Sequence, residues 1–247
     1  KLRTLVSTWI TSAITIAIMV LFGAGLAVGY AGSPERADIA KDMISSGSAL
    51  GMIVVAVLGA LVVTGEYASG QIRSSVVAVP HRGRLFAAKA LVVAAFSFVL
   101  GVTSVLLSYA VSYPFMKGHA GSLTNAHYLG LFWGTGLSFM VIALMAMGLG
   151  YLTRSTAGAI TVVVSLLFVV TIPLQLLAGR WQWAVKVLGL LPNTVADAVA
   201  DPFSLSHHWG QAGTDTFLQH WQAISVFAAW ALVPMVIAGV LFTRRDV

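Results

Sequence analysis

The hydrophobic positions of this chain are gathered into six long runs that contain no Asp, Glu, Lys or Arg. A helix needs about 20 apolar residues to cross a hydrocarbon core about 30 Å thick, so each run has roughly the length of a membrane span. Backbone groups in lipid must bond within their own segment, and the runs are too long and too evenly apolar for barrel strands. The pattern predicts an all-α integral membrane protein with six spans, forming one domain over residues 1–247. The predicted spans cover residues 9–30, 47–63, 91–113, 128–152, 157–177 and 223–242.

Composition excludes the other broad classes of protein. The chain is 58% hydrophobic and only 9% charged, whereas soluble domains are about 25% charged. The 247 residues include no cysteine, which excludes disulfides, thiolate metal sites and cysteine nucleophiles. In a membrane protein, a net charge of +6 indicates orientation rather than a nucleic-acid partner.

The distribution of Lys and Arg between the two sides predicts the orientation, because cations are retained in cytoplasmic loops. One side would carry nine of the fourteen cations: Lys1, Arg3, Arg73, Arg82, Arg84, Lys89, Arg154, Arg244 and Arg245. The other side would carry Arg36, Lys41, Lys117, Arg180 and Lys186. We therefore expect a multi-pass plasma-membrane protein with both termini in the cytoplasm. The first run is about twice as long as the apolar region of a secretory signal, so we expect a span there. The lack of an initiating Met suggests that a short native N-terminus precedes Lys1.

The predicted cytoplasmic connection between spans two and three carries the most chemically marked sequence, GEYASGQIRSSVVAVPHRGRLFAAK at residues 65–89. Glu66 opens it, where a carboxylate suits a helix N-terminus. Tyr67, Ile72, Val76 and Val77 then fall at helical spacing before Pro80 ends the helix. This pattern predicts a short amphipathic helix. Such a helix either docks a cytoplasmic partner or lies on the membrane surface with its arginines on lipid phosphates, and the pattern alone leaves both open.

The connection resembles the loop between the second and third spans of ABC-2 type transporter permeases. That family typically shows a Glu, a Gly three or four residues later, an apolar helix, and then a Pro followed by basic residues. The corresponding positions here are Glu66, Gly70, Arg73, Pro80, Arg82 and Lys89. The opening of the chain, with Ser7, Thr8 and Trp9, and its Arg-Arg-Asp-Val ending are similar to many actinobacterial members. One departure is Gln71, where family members often have Thr.

The resemblance implies a mechanism. Two permease domains, identical or different, sit on two ATPase subunits that bind ATP and Mg²⁺, and the loop helix fits a cleft on each ATPase. The resemblance further implies that Glu66 holds the start of this helix against the base of span two. The cations Arg73, Arg82, Arg84 and Lys89 are then expected to meet acidic groups on the ATPase. Arg154 is most simply an anchor that fixes topology, with a second ATPase contact as its other interpretation.

No nucleotide chemistry is expected on this chain itself. It contains no G-x-x-x-x-G-K-[ST] loop, which would cradle phosphates, and no H-E-x-x-H or G-x-S-x-G motif. We therefore expect a non-enzymatic subunit with no catalytic residue, no metal site and no cofactor of its own. The alternative class is a stand-alone secondary carrier or accessory membrane protein that needs no ATPase. The uncharged spans disfavour an ion-driven carrier, because moving charges need ionisable partners at membrane depth.

A substrate path is expected at the sparse polar or soft residues of the later spans. Methionine adapts to varied apolar ligands, although it also serves in ordinary packing. With no charge to hold an ionic solute, the expected cargo is amphipathic or hydrophobic, such as a drug, antibiotic, peptide or lipid-like compound. The candidates are Ser138, Met140, Met145, Met147, Ser165, Thr171 and Gln175.

The segment 178–222 between the last two spans is rich in tryptophan, which favours the membrane interface. It includes Trp181, Trp183, Trp209 and Trp221, with an apolar piece at residues 185–191 that is too short to cross. We expect one or two short external helices there, in or dipping into the outer leaflet. They would either guard an exit or simply cover the edge of a dimer.

Overall fold

The computed structural model describes residues 6–31, 40–78, 81–116, 124–200, 218 and 220–244. Over these residues the chain forms helices and no strand. Six helical segments are long and apolar enough to cross a membrane, which confirms the prediction of an all-α, multi-pass membrane protein. These spans are Thr8–Ala31, Ser48–Ala68, Arg82–Phe115, Ala126–Thr153, Thr156–Ala178 and Trp221–Arg244.

The individual helices subdivide the spans and fill the connections between them. The first and fifth spans are each interrupted by a π-helical turn, named here π1 and π2. In chain order the elements are α1 (Val6–Met19), π1 (Val20–Ala24), α2 (Gly25–Ala31), α3 (Ala40–Met43), α4 (Ser48–Ala68), α5 (Gln71–Ala78), α6 (Arg82–Ser112), a 3₁₀ turn (Tyr113–Phe115), α7 (Ala126–Thr153), α8 (Thr156–Val164), π2 (Ser165–Val169), α9 (Thr171–Ala178), α10 (Gln182–Leu188), α11 (Pro192–Ala200) and α12 (His220–Arg244).

The second and third spans are longer than their apolar runs. The sequence pattern ended span two at residue 63 and began span three at residue 91, whereas α4 continues to Ala68 and α6 begins at Arg82. An apolar run marks the part of a helix that lies in hydrocarbon, and long basic side chains allow the same helix to continue into the interface. The connection between these spans is correspondingly shorter than predicted.

Helix α7 forms the centre of the bundle. It packs against α4, α6, α11 and α12. Of its apolar stretch, 67% is buried inside the bundle, compared with 22% for each of the last two spans. Glycine permits its closest approach to α12: a Cβ at Gly148 would lie 2.9 Å from the carbonyl carbon of Pro234. Any larger residue at that position would push the two helices apart.

The described part of the segment between the last two spans forms two short helices, in agreement with the prediction of one or two. Helix α11 packs against α7 and α12 and buries Val195 almost completely. Helix α10 packs mainly against α9, and the exposed rings of Trp181 and Trp183 stack with centroids 6.4 Å apart. Trp209 lies outside the described residues. Helix α11 is therefore a part of the bundle wall.

Candidate functional site

Two ends of the bundle are distinguished here by the direction of α4. The basal end is where α4 ends and α6 begins, and the apical end is where α4 begins and α6 ends. The predicted coupling segment lies at the basal end, and the predicted substrate path runs toward the apical end.

At the basal end a buried ion pair joins two helices, and a hydrogen bond attaches a third. Lys89 of α6 places its Nζ 2.5 Å from Oε2 of Glu66 in α4, and the two side chains are only 13% and 8% exposed. Ser75 of α5 donates its hydroxyl to the same carboxylate oxygen at 3.4 Å. We call Glu66, Ser75 and Lys89 the basal charge cluster. It connects the short helix α5 to both of the spans that flank it.

The expected position of Glu66 was wrong in one respect. The sequence pattern placed it at the N-terminus of the loop helix, but it lies in the last turn of α4, five residues before α5 begins at Gln71. A helix C-terminus carries partial negative charge, so a carboxylate is unfavourable there without a cation. Lys89 supplies that cation from the neighbouring helix.

Gly70 makes the turn from α4 into α5. Its φ is +70°, a left-handed conformation that residues with a Cβ rarely adopt. Its N–H donates to the carbonyl of Tyr67 at 3.3 Å. Glycine at this position therefore has a structural reason.

Helix α5 is amphipathic, although its buried face differs from the predicted one. Ile72 is 4% exposed and packs into the core, while Val77 is 83% exposed. Tyr67 belongs to α4 rather than to this helix. Val77 was therefore placed on the wrong face, because eight residues contain too few turns to fix a face from spacing alone.

The remaining residues of the predicted coupling segment are distributed as follows. Arg82 is half-buried and Arg84 is exposed, both in the first turn of α6. Arg73 belongs to α5, but its side chain lies outside the described part of the chain, as does all of Pro80. The structure thus brings Glu66 and Lys89 together and leaves Arg84 on the surface.

Sequence reasoning missed an aromatic cluster beside the charge cluster. Tyr151 of α7 contacts Tyr67, Phe86 and Phe242, with ring centroids 6.4, 5.0 and 5.1 Å away. The guanidinium of Arg154 lies 5.4 Å from the centre of the Tyr67 ring. We call these four rings the basal aromatic cluster. It joins α4, α6, α7 and α12, and the only signal in the sequence is that each of these spans has an aromatic residue near the same end.

A cavity of about 600 Å³ opens beside the basal charge cluster, between α1, α4 and α6. Its lining includes Thr8, Thr11, Gln71 and the ion pair of Glu66 with Lys89. The residue that departs from the ABC-2 pattern, Gln71, therefore lies at the rim of this cavity.

A second cavity, of about 500 Å³, lies toward the apical end, bounded by α4, α7, α11 and the π2–α9 segment. We call it the polar cavity. Three of the predicted path residues line it, namely Ser138, Thr171 and Gln175. Met140, Met145 and Ser165 are not part of its lining, and Met145 and Met147 are buried in the core.

Histidine and carboxylate side chains do not converge in threes anywhere in the part of the chain that the structure describes. One pair does meet: Nε2 of His127 lies 2.7 Å from Oδ1 of Asp42 at the apical end. His119, His207 and His208 lie outside the described residues.

Comparison with known proteins identifies the family. Residues 14–247 match the family described as "Protein of unknown function (DUF2705)", and the chain belongs to that family. No curated protein and no solved structure matches it.

Proposed function

We propose that this chain is the membrane subunit of an ABC-2 type exporter, moved by a separate ATPase that docks on α5. The observation that carries this proposal is the attachment of α5, a short, half-exposed helix between two spans. Ser75 of α5 donates a 3.4 Å hydrogen bond to Glu66, and Glu66 belongs to the buried ion pair that links those two spans. A helix that only lay on lipid would need no such attachment.

The attachments of α5 suggest how a movement would spread. A displacement of α5 pulls on Ser75 and hence on Glu66 and Lys89, which belong to α4 and α6. Tyr67, the next residue after Glu66, contacts Tyr151 of α7. Rigid, well-packed contacts transmit strain, so the basal clusters would carry a push on α5 into four of the six spans.

The remaining parts of the proposal follow from charge and composition. Arg82, Arg84, Lys89, Arg154 and Arg244 belong to the basal end, and the positive-inside rule therefore favours a cytoplasmic basal end. ATP and Mg²⁺ would be bound by the partner, in two copies per complex. A second permease subunit, identical or homologous, would complete the membrane half, and the cargo would be an amphipathic or hydrophobic compound.

The absence of cysteine from the 247 residues allows a direct test of docking. Ser74 is exposed on α5 and Ser225 is exposed on α12. In native membranes, Ser74→Cys carrying a photocrosslinker is expected to capture an ATPase of ABC size, whereas Ser225→Cys, away from α5, captures none. Capture of lipid alone from the Ser74 position would refute the proposal.

Coupling is tested by transport and ATP hydrolysis in the reconstituted complex. Glu66→Ala and Arg73→Glu should each reduce ATP-driven transport at least tenfold while the six spans remain inserted. Unchanged coupling in both variants would contradict the docking surface. Full transport without any ATPase would instead favour a stand-alone carrier.

A further inference from the structure

We infer that the polar cavity binds a neutral, single-chain amphiphile whose head group donates hydrogen bonds. The inference rests on the proposed function only in making this ligand the cargo. The binding itself is a property of this chain and needs no nucleotide.

The size and position of the cavity suit such a ligand. Its volume of about 500 Å³ lies within the range of about 300–1,000 Å³ that is typical of small-molecule sites. Met52, Leu167 and Phe168 supply apolar walls. An alkyl chain can therefore be accommodated beside a polar head.

The charge of the ligand is indicated by the polar side chains that line the cavity. All of them are hydroxyls or amides and none is ionisable, with contributions from α4, α7, α9 and α11, including Ser48, Ser138, Gln175 and Asn193. An ionic head group would have to leave water without a counter-charge, which costs several kcal/mol in a medium of low dielectric constant. A hydroxyl or amide head would exchange water for these side chains.

Two oxygen atoms indicate which side of the hydrogen bond the ligand supplies. Asn193 in the first turn of α11 has a buried Oδ1 with no hydrogen-bond partner among the described residues. The hydroxyl of Thr171 donates to the carbonyl of Leu167 at 3.0 Å, so its oxygen can still accept a hydrogen bond. A buried acceptor without a donor is costly, and an O–H or N–H of the ligand would satisfy both.

One wall of the cavity is irregular in a way that favours a site. Leu167 and Phe168 belong to π2, where the N–H of Val170 donates to the carbonyl of Ser165 at 2.8 Å. A π turn adds a residue to the helix and is frequent at functional sites. Here it contributes apolar wall to the same cavity that α7 lines.

The test is photolabelling of the purified chain in phosphatidylcholine nanodiscs. The probe is monooctanoylglycerol with a diazirine in its acyl chain, followed by mass spectrometry of the labelled peptides. We expect labelling of the α7 and π2–α9 residues that line the polar cavity. Unlabelled monooctanoylglycerol should compete at least tenfold better than octanoate, octylamine or dioctanoylglycerol.

Variants connect the labelling to the cavity. Asn193→Leu should weaken competition by monooctanoylglycerol about tenfold, since it removes one buried acceptor. Gln175 is exposed, so Gln175→Leu leaves packing intact. This variant should weaken competition by monooctanoylglycerol several-fold, which keeps the test valid even if Asn193→Leu folds poorly. Ser138→Leu should abolish labelling by filling the cavity, whereas the matched change Ser225→Leu on exposed α12 should not.

Several results would overturn the inference. Labelling spread evenly over lipid-facing residues, or equal competition by the charged compounds, would refute a neutral site. Equal competition by dioctanoylglycerol would refute a single-chain ligand and indicate a bilayer lipid. Binding of monooctanoylglycerol without any ATPase crosslink would refute the exporter proposal but support the ligand site. An ATPase crosslink without binding of monooctanoylglycerol would refute the ligand site but support the exporter proposal.

Discussion

The basal charge cluster and the polar cavity use their polar groups in opposite ways. At the basal end, Glu66, Lys89 and Ser75 satisfy one another across three helices. Toward the apical end, the polar cavity holds a buried Asn193 oxygen with no partner in the described part of the chain. Polar groups that bond each other hold helices together, whereas a buried acceptor without a donor is costly and is available to a hydrogen-bond donor of a ligand.

Under the proposed function the two regions would have separate tasks. The basal clusters would join the helices into one unit for a partner to move, and the polar cavity would hold the ligand. Helices α4 and α7 contribute residues to both regions, so these two helices would carry a movement of the basal clusters to the walls of the cavity.

The largest expected effect comes from breaking the basal ion pair. Lys89→Met removes the ammonium group that lies against the buried Glu66 carboxylate, and loss of one partner of a buried pair costs about 3–5 kcal/mol. SDS-induced unfolding in mixed micelles, followed by tryptophan fluorescence, measures the loss. Adding Glu66→Gln removes the charge and should recover most of the stability. An equal loss in the single and double variants would show that the packing of the Lys89 side chain, not its charge, joins α6 to α4.

The second-largest loss of unfolding free energy is expected in the basal aromatic cluster. Phe242 is 5% exposed, and Phe242→Ala is expected to cost about 3 kcal/mol through the cavity that it leaves among Tyr151 and Phe86. Leu232→Ala on the same helix is the control, because Leu232 is 59% exposed and faces away from the core. Equal losses of unfolding free energy in the two variants would contradict a special role for the cluster.

The sequence predicted the elements of this fold better than their contacts. Six spans follow from long uncharged runs, because hydrocarbon thickness imposes a minimum length on every crossing helix. The pairing of Glu66 with Lys89 does not follow from these runs, because it needs α6, the third span, to begin at Arg82 and so to place Lys89 two turns later. Charge patterns report which side of the membrane a residue occupies, not which neighbour it meets.

Glycine spacing shows the same limit. The pairs Gly25 with Gly29 and Gly47 with Gly51 have the same spacing in sequence, yet a Cβ at Gly25 or Gly29 would meet nothing within 4 Å. A Cβ at Gly51 would lie 2.6 Å from the Phe139 ring. Spacing predicts a small-residue face, but the packing of the other helices decides whether that face is used. Of the path residues chosen from the sequence, Ser138, Thr171 and Gln175 line the polar cavity, whereas Met140, Met145 and Ser165 do not. Their role in a substrate path stays a prediction.

A smaller effect is expected at the turn into α5. Gly70→Ala forces a left-handed conformation on a residue with a Cβ and should cost about 1–2 kcal/mol. Gly65→Ala in α4 is the matched control. At either glycine an added Cβ would meet nothing within 4 Å, but Gly70 has a positive φ and Gly65 does not. Alanine at residue 65 should therefore raise helix stability by about 0.5–1 kcal/mol. The same sign of change in both variants would show that the turn geometry is not under strain.

The smallest change in stability, and the sharpest test of the contrast, is Thr171→Val in the polar cavity. The substitution preserves shape and removes a hydroxyl whose one hydrogen bond among the described residues is to the carbonyl of Leu167 one turn back. Unfolding free energy should therefore change by less than about 1 kcal/mol. Binding of monooctanoylglycerol should nevertheless weaken several-fold, because an acceptor in the cavity is lost. The double variant Thr171→Val with Lys89→Met should show additive losses of stability, since the two sites share no contact. A large stability loss from Thr171→Val alone would mean that the hydroxyl serves the fold, and the apical end would then use its polar groups as the basal end does.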